Sequence, residues 1–154
     1  MTIYLVRHAK AGSRRNWATD DTLRPLSKPG RRQADAIASG LAGVSVSRLV
    51  SSPFVRCVQT VEPLAAALGV DIERSDTLAE GASITDALDL VDKLAREQHA
   101  VVCSHGDVIG DLLMALSDRG VRLDDFRIEK GSTWVLECDD GKVVSAHYTP
   151  PADD

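Results

Sequence analysis

The chain has 154 residues, 44% hydrophobic and 27% charged, which suits one soluble domain with a full core. A formal net charge of −5 leaves no footprint for a nucleic-acid polymer or an anionic membrane surface. No stretch approaches the ~20 apolar residues of a membrane span.

The total hides a local bias, because Arg7, Arg14, Arg15, Arg24, Arg31 and Arg32 all fall near the N-terminus. Such a cluster is either a solvated basic face or a basic pocket for a small anion. Cys57, Cys103 and Cys138 show neither metal-ligand spacing nor a redox pair. They read as free thiols of a reducing compartment, so a cytoplasmic location is expected. Arg7 interrupts the first apolar run too early for a signal peptide.

The segment TIYLVR reads as a strand, followed by a polar loop over 8–28 with Pro25 and Pro29. GRRQADAIASGLAG places Ala34, Ile37, Ala38 and Leu41 on one helical face and ends at Gly43. SRLVSS is a second strand. PFVRCVQTVEPLAAALG is a helix with Pro53 near its start, Gly69 after its end, and Pro63 expected to kink or divide it. VDIERSDTL supplies a third strand, and a loop through EGASI leads to a helix capped by Thr85 and running to about Glu97. AVVCS, apolar throughout, reads as a central strand. Gly106 opens a helix ending near Gly120. STWVLEC and KVVSAHY, joined by Asp139-Asp140-Gly141, form a closing hairpin. This alternation predicts a three-layer α/β sandwich: a mostly parallel central sheet, with the antiparallel C-terminal hairpin adding a strand at an edge.

In open α/β sheets ligands bind beyond the carboxyl ends of the strands. The four strand ends deliver Arg7-His8, then Ser51-Ser52-Pro53-Phe54-Val55-Arg56, then Glu80-Gly81, then Ser104-His105-Gly106. Each alone is weak, since polar residues commonly end strands. Together they bring two arginines, two histidines and a carboxylate to one sheet edge. That set fits phosphoryl transfer without a metal. Guanidinium forks grip phosphate oxygens, a neutral imidazole is a nucleophile near pH 7, and a carboxylic acid can protonate a leaving group. No P-loop motif offers an alternative.

The motifs LVRHAKAG, RPLSKPGRRQADAIASGL, SSPFVRCVQT, LAEG and VVCSHGDVIGDLL resemble those of the histidine phosphatase superfamily, of phosphoglycerate mutase-like fold. The resemblance spans most of residues 3–116. It implies a single domain over 1–154, His8 as nucleophile, Arg7 and Arg56 as phosphate clamps, and His105 as the second histidine of the pocket. Glu80 matches the family's acid, with Asp107 as its competitor. Ser13 and Arg14 are expected in a loop that touches substrate. The family usually has glycine after the nucleophile, where this chain has Ala9; a positive φ there would strain alanine. No cofactor or metal is implied.

The short chain, with little insertion after Glu80, is similar to small phosphohistidine phosphatases of the SixA type. VQTVEPLA, SHGDVIGDLL and KGSTWVLE also resemble the phosphatase domain fused to actinobacterial Nudix hydrolases. The expected activity is therefore first that of a phosphohistidine protein phosphatase, with a nucleotide or small-metabolite phosphatase as the alternative, so the expected partner is a phosphorylated protein or a small phosphorylated substrate. A catalytically inactive phosphate-binding module is the third reading. His99 and His147 read as surface residues, Cys57 and Cys103 as core.

Overall fold

The computed structural model describes residues 1–97 and 99–152. Seven strands form one sheet in the order β3-β2-β4-β1-β6-β7-β5. In chain order the elements are β1 (Thr2–Arg7), α1 (Lys28–Leu41), β2 (Arg48–Ser51), α2 (Val55–Leu68), β3 (Ile72–Arg74), α3 (Ile84–Glu97), β4 (Ala100–Ser104), α4 (Gly106–Asp118), β5 (Arg122–Leu123), β6 (Thr133–Asp139) and β7 (Lys142–Thr149). Strands β3, β2, β4 and β1 are mutually parallel, and β6 pairs antiparallel with both β1 and β7.

The period-2 alternation of strand side chains builds two cores. Val6, Leu49, Val101 and Cys103 face α1 and α2, packing on Ile37, Val61 and Leu64. Ile3, Leu5, Val50, Ala100 and Val102 face the other way, against Val91 and Leu94 of α3 and Ile109 and Leu112 of α4. Central β4 is buried along its whole length, as its unbroken apolar run predicts. Burying each large aliphatic contributes roughly 1.5–3 kcal/mol, so the carboxyl ends of β1 and β4 rest on the best-packed part of the molecule.

Helix ends follow local chemistry. Ser27 Oγ accepts from the Gly30 amide at 3.2 Å to cap α1, whose first turn takes Pro29. Gly69 ends α2 in the left-handed region at φ 68°. The β6–β7 turn carries Asp140 and Gly141 at φ 51° and 75°, the double positive φ of a type I′ hairpin.

Several expectations change. The third strand is only Ile72–Arg74. Beyond it Ser75 Oγ accepts from the Thr77 amide, and the chain turns into a short 3-10 segment over Asp76–Leu78. Ser83, not Thr85, caps α3: its hydroxyl accepts from the Thr85 amide at 3.2 Å. Pro63 does not divide α2, which runs unbroken through it. Pro63 and Gln59, the residue whose carbonyl a proline leaves unserved, line the same surface hollow. The hairpin is not the sheet edge, because the short strand β5 pairs parallel outside β7.

Candidate active site

Strands β1 and β4 are parallel neighbours with Arg7 opposite Ser104. The next residues, His8 and His105, therefore emerge side by side, and their rings stand 5.4 Å apart, edge to face. The His8 amide donates to the Ser104 carbonyl at 3.0 Å, continuing the ladder one step past the strand. The register thus places both imidazoles at the floor of one cavity of about 670 Å³, which Arg7, Arg14, Arg56, Glu80 and Asp107 also line.

The His8 ring has a defined tautomer. Its Nδ1 lies 2.8 Å from the Ala9 carbonyl, which only accepts, so Nδ1 carries the proton and Nε2 is left with its lone pair. Burial pushes the His8 pKa down to about 3; the Ala9 bond opposes this, and His105, Arg56 and Arg7 add to it. The ring is neutral at pH 7. Ala9 is free of the feared strain: among the described residues the non-glycine at positive φ is Asp140. The Ala9 amide donates to Thr60 Oγ1 at 2.9 Å, and Thr60 donates to the Arg56 carbonyl at 2.7 Å. One threonine therefore ties the turn after His8 to the helix that carries Arg56.

His105 caps α4 and is 1% exposed. Ser52 Oγ accepts from the Phe54 amide at 3.3 Å and lies 2.8 Å from His105 Nε2. Cys57 Sγ stands 3.5 Å from the same Nε2, so the thiol packs beneath the histidine as core. Phe54 meets the His105 ring edge at 4.7 Å. It also lies under the Arg56 guanidinium, 4.9 Å from the ring centre.

Arg56, 1% exposed, projects from the first turn of α2. Its Nη1 donates to the Asp21 carbonyl at 3.0 Å. Its Nη2 has the Asp21 and Glu80 carboxylates at 3.2 and 3.6 Å but is hydrogen-bonded to neither. Arg7 donates to the Ile128 carbonyl, and its guanidinium presses on α4 so closely that a Cβ on Gly106 would lie 2.9 Å from its central carbon.

Burial without partners is costly, at about 1–3 kcal/mol per polar group. Among the described residues the buried side-chain atoms without a hydrogen-bond partner are Arg7 Nε, Arg56 Nε, Arg56 Nη2, His105 Nδ1 and Ser132 Oγ. The first four belong to residues that line this one cavity, and the three arginine nitrogens among them are donors whatever the pH. A tetrahedral oxyanion offers acceptors to such a ring, and the positive N-terminal end of α4 adds to its attraction.

The rim is looser. Arg14 reaches Glu80 at 3.2 Å and Asp21 at 3.6 Å. Glu80 thus enters the cavity between Arg14 and Arg56. Asp107, the competing acid, has one oxygen engaged: it accepts from the Gly81 amide at 2.8 Å and so pins the loop that presents Glu80. Ser13 lines the cavity beside Arg14.

Sequence reasoning missed three contributors. Asp21 bridges Arg14, Arg24 and Arg56, and the bond from Arg24, then the charges of Arg56 and Arg14, hold its carboxyl below the usual range. Arg24 is 7% exposed and donates to the Gly12 carbonyl, shaping the loop that carries Ser13. Lys130 closes the far wall. No periodicity marks such loop residues; the early arginine cluster was the one available signal. His99 and His147 stay outside: His99 Nδ1 accepts from the Thr2 amide, and His147 faces Asp124 at 3.6 Å.

Known proteins of this architecture carry the same arrangement of elements. The protein histidine phosphatase SixA, solved with tungstate, superposes with a TM-score of 0.77 at 21% identity, covering 97% of this chain and 95% of that one. A mycobacterial glucosyl-3-phosphoglycerate phosphatase solved with VO3 gives 0.74 at 17% identity, covering 99% of each chain. An 8-oxo-(d)GTP phosphatase of Mycolicibacterium smegmatis is 38% identical over 158 residues, 99% of this chain and 49% of the relative; the chain spans about half the length of that relative. Residues 3–83, which carry Arg7, His8, Arg56 and Glu80, match the family model of the histidine phosphatase superfamily, branch 1, and to that superfamily this chain belongs.

Proposed function

We propose that the chain is a phosphohydrolase whose reaction runs through a covalent phosphohistidine on His8, with guanidinium groups rather than a metal ion holding the phosphate charge. The observation that carries this is the set of buried nitrogens of Arg7, Arg56 and His105 without a hydrogen-bond partner around a neutral His8 whose proton is fixed on Nδ1. The His8 Nε2 lone pair attacks phosphorus, the bond to the leaving oxygen or nitrogen breaks, and Glu80 gives that atom a proton. Glu80 then takes a proton from water as its oxygen attacks phosphorus. The P–N bond breaks, phosphate leaves, and His8 is restored. The arginines and His105 donate to the equatorial oxygens, where charge accumulates in both steps.

The substrate reading we favour is a nucleotide. It rests on the 38% identity to an 8-oxo-(d)GTP phosphatase across nearly the whole chain. Further cations beyond the arginine pair, Arg14, Arg24 and Lys130, also line the cavity. A phosphohistidine protein is the second reading. It is supported by the shallow mouth, where only residues 81–83 separate Glu80 from α3 and leave no room for a lid there.

The test is phosphate release from a phosphohistidine protein and a nucleotide panel, with His8→Ala as the blank and acid quench to trap the labelled enzyme. Expected are acid-labile label on the wild type, none on the variant, and turnover at background in the variant. Turnover near wild type in His8→Ala would sink the mechanism. Phosphate binding without turnover or label in the wild type would make the chain a phosphate-binding module.

A further inference from the structure

The catalytic cavity has a neighbour. A hollow of about 590 Å³ lies beyond Lys130, which lines both spaces. Among the described residues its wall carries Lys10, Arg127 and Lys130 against a single carboxylate, Glu129, with Pro150 and Pro151 on its apolar side. The construction is specific. Gln33, 5% exposed, accepts from the Lys10 amide at 2.9 Å and donates to the Lys130 carbonyl at 3.1 Å. One buried carboxamide therefore fixes the backbones of both lysines. Gly131 sits at φ +80°, and a Cβ there would lie 2.9 Å from the Gln33 side chain; a Cβ on Gly30 would meet the Lys10 carbonyl. Glycine at both positions is what lets the three segments close on one another. Arg127 is held at the rim by Glu129 at 2.9 Å and by the Tyr148 ring at 5.8 Å.

The electrostatics join the two spaces. Burial lowers the Lys130 pKa, and repulsion from Arg7, Arg24, Arg14 and Arg56 lowers it further. Cations so crowded favour a ligand that brings several negative charges along one path. Lys10 and Arg127 line only the outer hollow and not the cavity that holds His8.

Resting on the phosphatase reading above, we propose that the Lys10–Arg127–Lys130 hollow is a second anion subsite for the phosphate chain of a nucleoside polyphosphate. With the terminal phosphate at His8, Lys130 takes the adjoining phosphate at the junction, and Lys10 and Arg127 take the charge beyond it. The terminal phosphate alone is transferred, by the steps already given.

The experiment compares initial-rate phosphate release from GTP and from GMP, which share base and sugar. The Lys10→Ala/Arg127→Ala variant is expected to lower the GTP-to-GMP ratio of kcat/KM about tenfold, through KM, as lost charge-assisted contacts would. The charge-keeping Lys10→Arg/Arg127→Lys variant restores the ratio. Arg122→Ala removes an exposed cation of β5 and controls for the general field. A ratio unmoved in the alanine variant, or moved equally by Arg122→Ala, overturns the subsite. Wild-type turnover of a phosphohistidine protein but of neither nucleotide overturns the subsite while sparing the phosphatase reading. Wild type inert on every phosphorylated substrate overturns both.

Discussion

His8, Arg56 and His105 are 6%, 1% and 1% exposed, whereas the Arg14 and Glu80 side chains across the same cavity are 64% and 40% exposed. The floor is held by backbone and core. His8 hangs on the Ala9 carbonyl, Arg7 on the Ile128 carbonyl, and Arg56 on the Asp21 carbonyl and the Phe54 ring. The rim is held by charges that face water and one another, and exposed ion pairs of that kind are worth only about 0–1 kcal/mol. A floor so fixed can aim donors at phosphate oxygens without reorganising, at the cost of leaving them unpartnered when empty. A rim so loosely held can rearrange around different leaving groups. The floor is therefore the seat of the proposed chemistry, and in that proposal the rim governs what is admitted and how the leaving group is protonated.

The sharpest test of that contrast removes a floor cation. Arg56→Ala should lower kcat/KM by ~10²-fold or more, the scale of deleting a preorganised charge donor, whereas Arg14→Ala should cost only a few-fold. Steady-state phosphate release measures both. If the two losses match, floor and rim are not distinct.

Next in size is the choice between the two rim carboxylates. Glu80→Gln keeps the shape and removes the proton, so the loss should reach ~10²-fold for a poor oxygen leaving group. It should shrink for a phosphoramidate, whose nitrogen is easily protonated. Asp107→Asn keeps an oxygen for the Gly81 amide, so a carboxylate that merely pins the loop should survive the change within a few-fold. Asp107→Ala should then be the worse substitution. A large loss in Asp107→Asn together with a mild one in Glu80→Gln would exchange their roles.

The same divide separates what was legible in the sequence from what was not. The floor stands at the ends of strands with clear patterning, and the parallel register of β1 with β4 follows once both are central. Arg7, His8, Arg56 and His105 could thus be placed on one edge from topology alone. Asp21, Arg24 and Lys130 sit in loops whose paths depend on contacts distant in sequence, such as Gln33 with the Lys130 carbonyl. No local period announces them. The third strand was overread for a related reason. Alternation in VDIERSDTL looks β-like, but the Ser75 hydroxyl captures the Thr77 amide and turns the chain. Pro63 was overread in the opposite sense. Here the helix tolerates its proline, and Pro63 and the residue one turn before it, Gln59, both line a surface hollow.

The smallest expected effect is on stability, and its sign follows from the floor's burial. The folded His8 pKa is about 3, depressed mainly by desolvation, against an unfolded value of about 6.5. Between those values the unfolded chain binds a proton that the folded chain refuses. His8 therefore contributes stability that is fully present above about pH 6.5 and is lost as pH falls toward 3, at about 1.4 kcal/mol per pH unit for one proton. Urea titrations across that range should show the slope, and His8→Ala should reduce it by one proton's worth. Inorganic phosphate should flatten it too. An anion between Arg7 and Arg56 offsets two of the charges that depress the His8 pKa, so the folded state accepts the proton at higher pH. A slope unchanged by the substitution would mean that His8 is solvated in the empty site, and the contrast between a dry floor and a wet rim would fail at its central residue.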